Sequence, residues 1–133
     1  MNPLITKERY AWNCQNIQEI QVEVGRWLDE VAELDDVIAT YDAGAVRYWS
    51  NREVLDMVGL NDHEVAAGGV QRRVAELEPR FFLIFPPSFA QFAGNPLYQP
   101  VRRLESSRYT ICECPQDVML VLRRRDLVPK SAQ

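Results

Sequence analysis

Short apolar runs bounded by turn residues alternate along this chain with stretches of helical period. Three such runs, residues 37–41, 54–58 and 81–85, are each followed by glycine, proline or clustered polar residues. Apolar runs of this length predict buried strands, and helical segments between them allow the strands to lie parallel. Residues 36–62 therefore predict a compact β-α-β unit, with one or two helical turns within residues 45–49.

The N-terminal part of the chain predicts one long helix over residues 6–33. An apolar stripe recurs there at steps of three and four residues: Ile17, Ile20, Val24, Trp27, Leu28 and Val31. Thr6 can accept hydrogen bonds from the first free amides, and it is therefore the predicted N-cap. Acidic side chains at a helix C-terminus oppose the helix dipole, so the acidic residues after Ala32 predict that the helix ends near it. We interpret the stripe, with Trp27 as a structural residue, as a face packed on the sheet. The alternative is a surface that binds a partner.

The second half of the chain predicts one more helix and then closely spaced strands. Asp62 is a predicted N-cap, Gly68-Gly69 predicts a break in the helix, and Pro79 predicts its end. Residues 98–104, 108–114 and 118–124 are predicted strands joined by tight turns. Strands joined without intervening helices are normally antiparallel.

These elements together predict the fold class, a three-layer α/β domain. Its mixed sheet has a parallel β-α-β first half and an antiparallel C-terminal hairpin, and the long N-terminal helix packs on one face. A length of 133 residues predicts a single domain over residues 1–133, with frayed ends at residues 1–5 and 126–133.

Composition narrows the classes of partner. The net charge is −4 and the isoelectric point is near 5.0, which disfavours a nucleic-acid partner. No apolar run approaches the roughly 20 residues that span a bilayer, and the first residues do not resemble a signal peptide. From these features we expect a chain that stays in the compartment where it is made. Arginines cluster in the last third of the chain. We expect them to lie on a solvated surface of the strands, and the alternative is that they contact anionic lipid or phosphate.

Polar residues gather where the predicted strands end, which is where open α/β sheets usually bind ligands. The candidate binding residues are Asp42, Asp56, Asn61 and Asp62. Paired carboxylates there could take part in acid–base or cation chemistry. The alternative is that Asp42 caps the following helix, while Asp56 is buried and binds backbone amides or an arginine of residues 44–52.

Other chemistry-bearing residues favour structural roles. Gly44 and Gly59 lie in the predicted turns. His63 stands at a helix start, and the interpretation of Cys112 and Cys114 is that they are small core side chains on a strand. The sequence has no glycine-rich phosphate loop and no nucleophile elbow, so we expect no catalytic residue, metal site or cofactor.

Several sequence blocks together resemble a known family. They are Tyr10–Asn13, Asn16-Ile17, Gln21, Gly25–Leu28, Asp42–Tyr48, Asn51-Arg52, Leu55–Asn61 and Pro79–Ile84. In this order they resemble the soluble C-terminal region that follows the last membrane span of polytopic bacterial glycosyltransferases. That class has the C-type fold, is mannosyltransferase-like and uses lipid-phosphosugar donors. The resemblance covers nearly the whole chain, although no single block is a catalytic signature.

The resemblance implies a non-catalytic accessory domain, because the catalytic acid of that class lies in a loop near its first membrane spans. The implied partners are a membrane-embedded transferase core and a lipid-linked sugar. The implied location is the outer face of the membrane; a chain that truly starts at Met1 would instead be cytoplasmic. Two other functions remain open: a standalone ligand-binding domain or small enzyme that uses the strand-end carboxylates, and a structural interaction domain. The sequence does not predict an oligomeric state.

Overall fold

A computed structural model describes residues 3–86, 88, 90–107 and 117–125. The helices are α1 (Pro3–Ile17), α2 (Glu23–Val31), α3 (Ala43–Ser50), α4 (Val70–Leu77) and α5 (Ala90–Ala93). The strands are β1 (Val37–Thr40), β2 (Glu53–Asp56), β3 (Phe81–Ile84), β4 (Tyr98–Glu105) and β5 (Val118–Arg124). One π-helical turn, Gln18–Val22, joins α1 to α2, and another, Val65–Gly69, precedes α4. No helix among the described residues is long and apolar enough to cross a membrane.

The five strands form one mixed sheet in the order β2-β1-β3-β5-β4. Strand β1 pairs in parallel with both β2 and β3, while β5 pairs antiparallel with β3 and β4. Thr40 lies opposite Asp56, so β1 and β2 end side by side. The predicted fold class is confirmed, and the predicted helix between the first two strands is α3.

Alternate residues along the strands supply two separate cores. On one face, β1 and β3 contribute Ile38 and Leu83 beneath Ile20 and Val24 of the long N-terminal helix. On the other face, Ala39 and Phe82 face the side chains of α4 and α5. Successive strand residues are thus buried on opposite faces of the sheet, and helices cover both faces. The result is the three-layer arrangement.

Element boundaries differ from the predicted ones at two informative places. The long helix begins at Pro3, so Thr6 lies inside it and is not its N-cap. Strand β2 ends at Asp56 rather than Val58, because the Asp56 carboxylate binds the following amides and turns the chain. The predicted strand of residues 108–114, with Cys112 and Cys114, lies outside the described residues.

The predicted break at Gly68-Gly69 is confirmed. Gly68 has a φ of 89°, in the left-handed region that side chains other than glycine rarely adopt. The helical backbone is therefore interrupted within the π-helical turn Val65–Gly69 and resumes as α4.

Candidate functional site

Asp56 organises the loop that follows β2. The residue is 4% exposed. Its Oδ1 accepts hydrogen bonds from the amides of Val58 (3.0 Å) and Gly59 (3.1 Å). Its Oδ2 accepts from the backbone amide (2.9 Å) and side-chain amide (3.2 Å) of Asn61. The predicted burial and backbone partners are confirmed, whereas the donors in the described structure are loop amides rather than an arginine of residues 44–52.

Asp42 occupies the N-cap position of α3 without capping it. Its backbone is extended, with φ −118°, but its carboxylate makes no capping hydrogen bond. Instead, Asp42 Oδ2 accepts from Nε2 of Gln21 at 3.1 Å. The capping alternative is therefore wrong. The physical reason is that the π-helical turn buries Gln21 completely, and its amide requires an acceptor.

Asp62 is the N-cap that the sequence predicts. Its Oδ1 accepts from the amides of Glu64 (3.0 Å) and Val65 (3.2 Å), and its Oδ2 accepts from Arg73 Nε at 3.2 Å. The Val65 amide first, and then the Arg73 guanidinium, lower the pKa of Asp62 below its ordinary value. The carboxylate therefore stays ionised and holds the start of the second helical segment.

A cleft lies between the start of α3, the edge strand β2 and the loop after it. We call it the α3–β2 cleft, and its volume is about 450 Å³. Its walls are Ala43, Gly44, Arg47, Glu53, Val54, Asp56, Asn61 and Asp62. Three of the four candidate binding residues meet there, while Asp42 is not part of the lining. The sequence interpretation missed Glu53 and Arg47 as cleft residues.

The hydrogen bonds decide which groups the α3–β2 cleft can offer to a ligand. Asp56 and Asp62 are already bound to loop and helix amides. The Glu53 side chain is exposed and has no hydrogen-bond or ion-pair partner among the described residues. Arg47 donates one hydrogen bond to the carbonyl of Arg52 and keeps further guanidinium hydrogens. The cleft thus presents to a ligand the carboxylate of Glu53, the guanidinium of Arg47 and the side-chain carbonyl of Asn61.

The two glycines singled out in the sequence differ in what they do. Gly59 has a φ of 88°, and a Cβ there would lie 2.5 Å from the Ala66 nitrogen, so the loop requires glycine. A Cβ at Gly44 would meet no described atom within 4 Å. Gly44 instead lines the cleft, where a missing side chain leaves space.

Arg52 closes the C-terminal end of α2, a role that the sequence interpretation missed. Its buried guanidinium donates to the carbonyls of Ala32 (2.8 Å), Glu33 (2.9 Å) and Asp29 (3.0 Å), and to the Asp29 carboxylate at 3.1 Å. A cation at this position satisfies carbonyls that a helix end leaves unpaired. The sequence did carry a signal for this role, since acidic residues at a helix C-terminus indicate that a cation binds nearby.

Glu19 fastens the long helix to the end of β4. Its carboxylate accepts from Gln15 Nε2 (2.7 Å), the Ser107 amide (2.8 Å) and the Ser106 hydroxyl (2.9 Å). These donors, Gln15 foremost, lower the pKa of Glu19 from its ordinary 4.5 to about 2.

The stabilising effect of Glu19 should therefore decline as the pH falls from its unfolded pKa of 4.5 to its folded pKa of about 2. A carboxylate with a lowered pKa stabilises the fold fully above its unfolded value of 4.5 and loses that effect as the pH falls towards about 2. We expect the side-chain carboxyl resonance of Glu19 to titrate with a midpoint near 2. We also expect Glu19→Gln to unfold less steeply with acid over that window than the parent chain. A midpoint near 4.5 would contradict the contact.

The remaining chemistry-bearing residues have structural surroundings. His63 is exposed at the helix start, and the described residues hold no group of three His, Cys, Asp or Glu side chains able to bind a metal ion. Within the basic region, Arg102, Arg103 and Arg124 form ion pairs with Glu23, Glu105 and Glu78 respectively. Much of that positive charge is thus neutralised locally, which weakens the anionic-lipid alternative.

These features define a three-layer mixed α/β domain with a polar cleft beside its edge strand. Residues 15–122 match the model of a family described as a domain of unknown function, DUF8728. Because this match spans more than half of the chain, the protein belongs to that family. No curated protein and no solved structure matches the chain.

Proposed function

We propose that this protein is a non-catalytic sugar-binding accessory domain that works beside a membrane-embedded glycosyltransferase. Its task would be to hold the sugar of an acceptor or of a lipid-linked donor in the α3–β2 cleft. In that role the domain would lie on the outer face of the membrane.

One observation carries the proposal. Two sequence blocks that bear the resemblance to the glycosyltransferase C-terminal regions, residues 42–48 and 55–61, lie apart in the sequence but line the same cleft. The first contributes Ala43, Gly44 and Arg47, and the second contributes Asp56 and Asn61. The two blocks meet there because β1 and β2 end side by side, and the cleft between them gives the resemblance a polar surface on which a ligand could bind.

The charges favour the sugar ring over its phosphate. Three carboxylates and one guanidinium line the cleft, and Arg73 offsets only the charge of Asp62, so a phosphate would still meet net repulsion. Hydroxyl groups, in contrast, both donate to carboxylates and accept from guanidinium and amide groups. A volume of about 450 Å³ lies within the range of small-molecule sites.

The same hydrogen bonds support binding rather than catalysis. A general base must come within hydrogen-bond reach of its substrate, and hydrogen bonds that a carboxylate already accepts within the protein compete with that contact. Asp56 accepts four such bonds within the chain. Asp56 would then shape the cleft while Glu53 and Arg47 contact the ligand.

Calorimetric titration of the purified chain with methyl α-mannoside and with mannose 1-phosphate tests the proposal. We expect the uncharged sugar to bind more tightly than the phosphate. Glu53→Gln should weaken that binding about tenfold, because it replaces a charged hydrogen-bond acceptor with a neutral amide. The matched control is Glu105→Gln, another exposed strand carboxylate, which should bind like the parent chain.

Three results would count against the proposal: no binding of either sugar at millimolar concentration, equal weakening by both variants, or preference for the phosphate.

The proposed association with a membrane-embedded transferase has a separate test. A transferase core encoded upstream in the same reading frame, or in a neighbouring gene, supports the accessory role. Sugar binding without such a core would favour a standalone binding domain.

A further inference from the structure

A second cleft lies on the outer side of α2 and α3. We call it the α2–α3 cleft, and its volume is about 880 Å³. Its lining is Arg26, Asp29, Glu30, Arg47, Tyr48, Trp49 and Asn51. Gly25 brings the two helices together here, since a Cβ on it would lie 2.7 Å from the Cβ of Trp49.

Aromatic side chains distinguish this cleft from the α3–β2 cleft. Tyr48 is 73% exposed, so most of its side chain is accessible to a ligand. Its ring meets Trp49 edge to face at 5.3 Å, and the Arg26 guanidinium stacks over Trp49 at 4.3 Å. Trp49 is thus held in place from the side, while Tyr48 presents an open ring to the cleft.

The charges around these rings balance. Arg26 and Arg47 supply two positive charges, and Asp29 and Glu30 supply two negative ones. A strongly charged ligand gains little from such a lining, whereas a ligand with many hydroxyl groups finds both donors and acceptors. An aromatic surface with a few convergent polar groups is the usual composition of a small-molecule site.

We propose that the α2–α3 cleft binds an uncharged saccharide, with the Tyr48 ring stacked against the apolar C–H face of one sugar residue. Asp29, Glu30 and Asn51 accept or donate hydrogen bonds at the ring edge. Arg47 lines both clefts. This inference rests on the aromatic cleft itself and stands even if the α3–β2 cleft binds nothing.

Titration with mannotriose, maltotriose and chitotriose, each added to the intact chain, tests this second site. Tyr48→Ala should weaken binding of the preferred trisaccharide about tenfold, because it removes the stacking surface. Tyr48→Phe should bind like the parent chain, since it keeps the ring and removes only the hydroxyl. All variants should keep the parent melting temperature, because Tyr48 is a surface residue.

Glu53→Gln separates the two proposals, because Glu53 lines the α3–β2 cleft alone and Tyr48 lines the α2–α3 cleft alone. Trisaccharide binding that is weakened by Tyr48→Ala supports the second site, whatever Glu53→Gln does. Binding that Tyr48→Ala leaves unchanged overturns it, and so does a lack of binding by all three trisaccharides at millimolar concentration.

Discussion

Asp56→Ala is expected to lower the free energy of unfolding by about 3–4 kcal/mol, because three loop amides and the Asn61 side chain lose a charged acceptor. That is a large share of the roughly 5–15 kcal/mol that stabilises a domain of ordinary size. The loss corresponds to a melting temperature lower by about 10 °C. Calorimetry or urea unfolding measures both quantities.

Two variants make the Asp56 result specific. Asp56→Asn keeps one acceptor oxygen but loses the charge, so its destabilisation should fall between that of Asp56→Ala and the parent chain. Glu53→Gln, on the same strand but exposed, should stay within about 0.5 kcal/mol of the parent. If Asp56→Ala melted like the parent chain and yet abolished sugar binding, Asp56 would be a ligand contact rather than the organiser of the loop.

Arg52→Ala is expected to lower the free energy of unfolding by about 3–5 kcal/mol, the second large effect, since it removes the donor to the Ala32 and Glu33 carbonyls after α2 and to the Ser50 carbonyl at the end of α3. Arg52→Lys should recover only part of this loss. An ammonium group keeps the charge but cannot reach, from a single nitrogen, the separate acceptors that the planar guanidinium serves.

The control for Arg52 is an arginine whose surroundings are solvent. Arg103 pairs with Glu105 on the surface, where both side chains are 57% exposed. Arg103→Ala should therefore change the unfolding free energy by less than about 1 kcal/mol. Urea unfolding that placed Arg52→Ala within about 1 kcal/mol of the parent would contradict the role of Arg52 in closing the helix.

Much of the fold is predictable from the sequence, because its signals are local. The run Phe81–Ile84 is apolar at every position and lies in the buried middle of the sheet. Asp62 and Gly68 are recognisable because capping and left-handed backbone depend on one residue and its neighbours. The loop amides that bind Asp56 are likewise only two to five residues away.

The site was less predictable, because its contacts join residues far apart in the chain. Arg52 binds carbonyls about 20 residues earlier in the chain. Asp42 accepts a hydrogen bond from Gln21 instead of capping α3, which was the alternative interpretation. The π-helical turn that buries Gln21 could not be predicted, because the apolar stripe continues on both sides of it without a change of pattern. Glu53 becomes a cleft residue only because β2 is an edge strand, which the order of strands decides.

Mapping the backbone amide resonances of the isotope-labelled chain during titration with methyl α-mannoside tests the central claim most directly. Sugar binding in the α3–β2 cleft predicts shifts confined to the start of α3, to β2 and to the loop after it, residues 43–47 and 53–62. Glu53→Gln should move the midpoint of those shifts to a sugar concentration about tenfold higher, without changing the spectrum of the free chain elsewhere. No shifts at saturating sugar, or shifts confined to the opposite face of the sheet around α4, would contradict the claim.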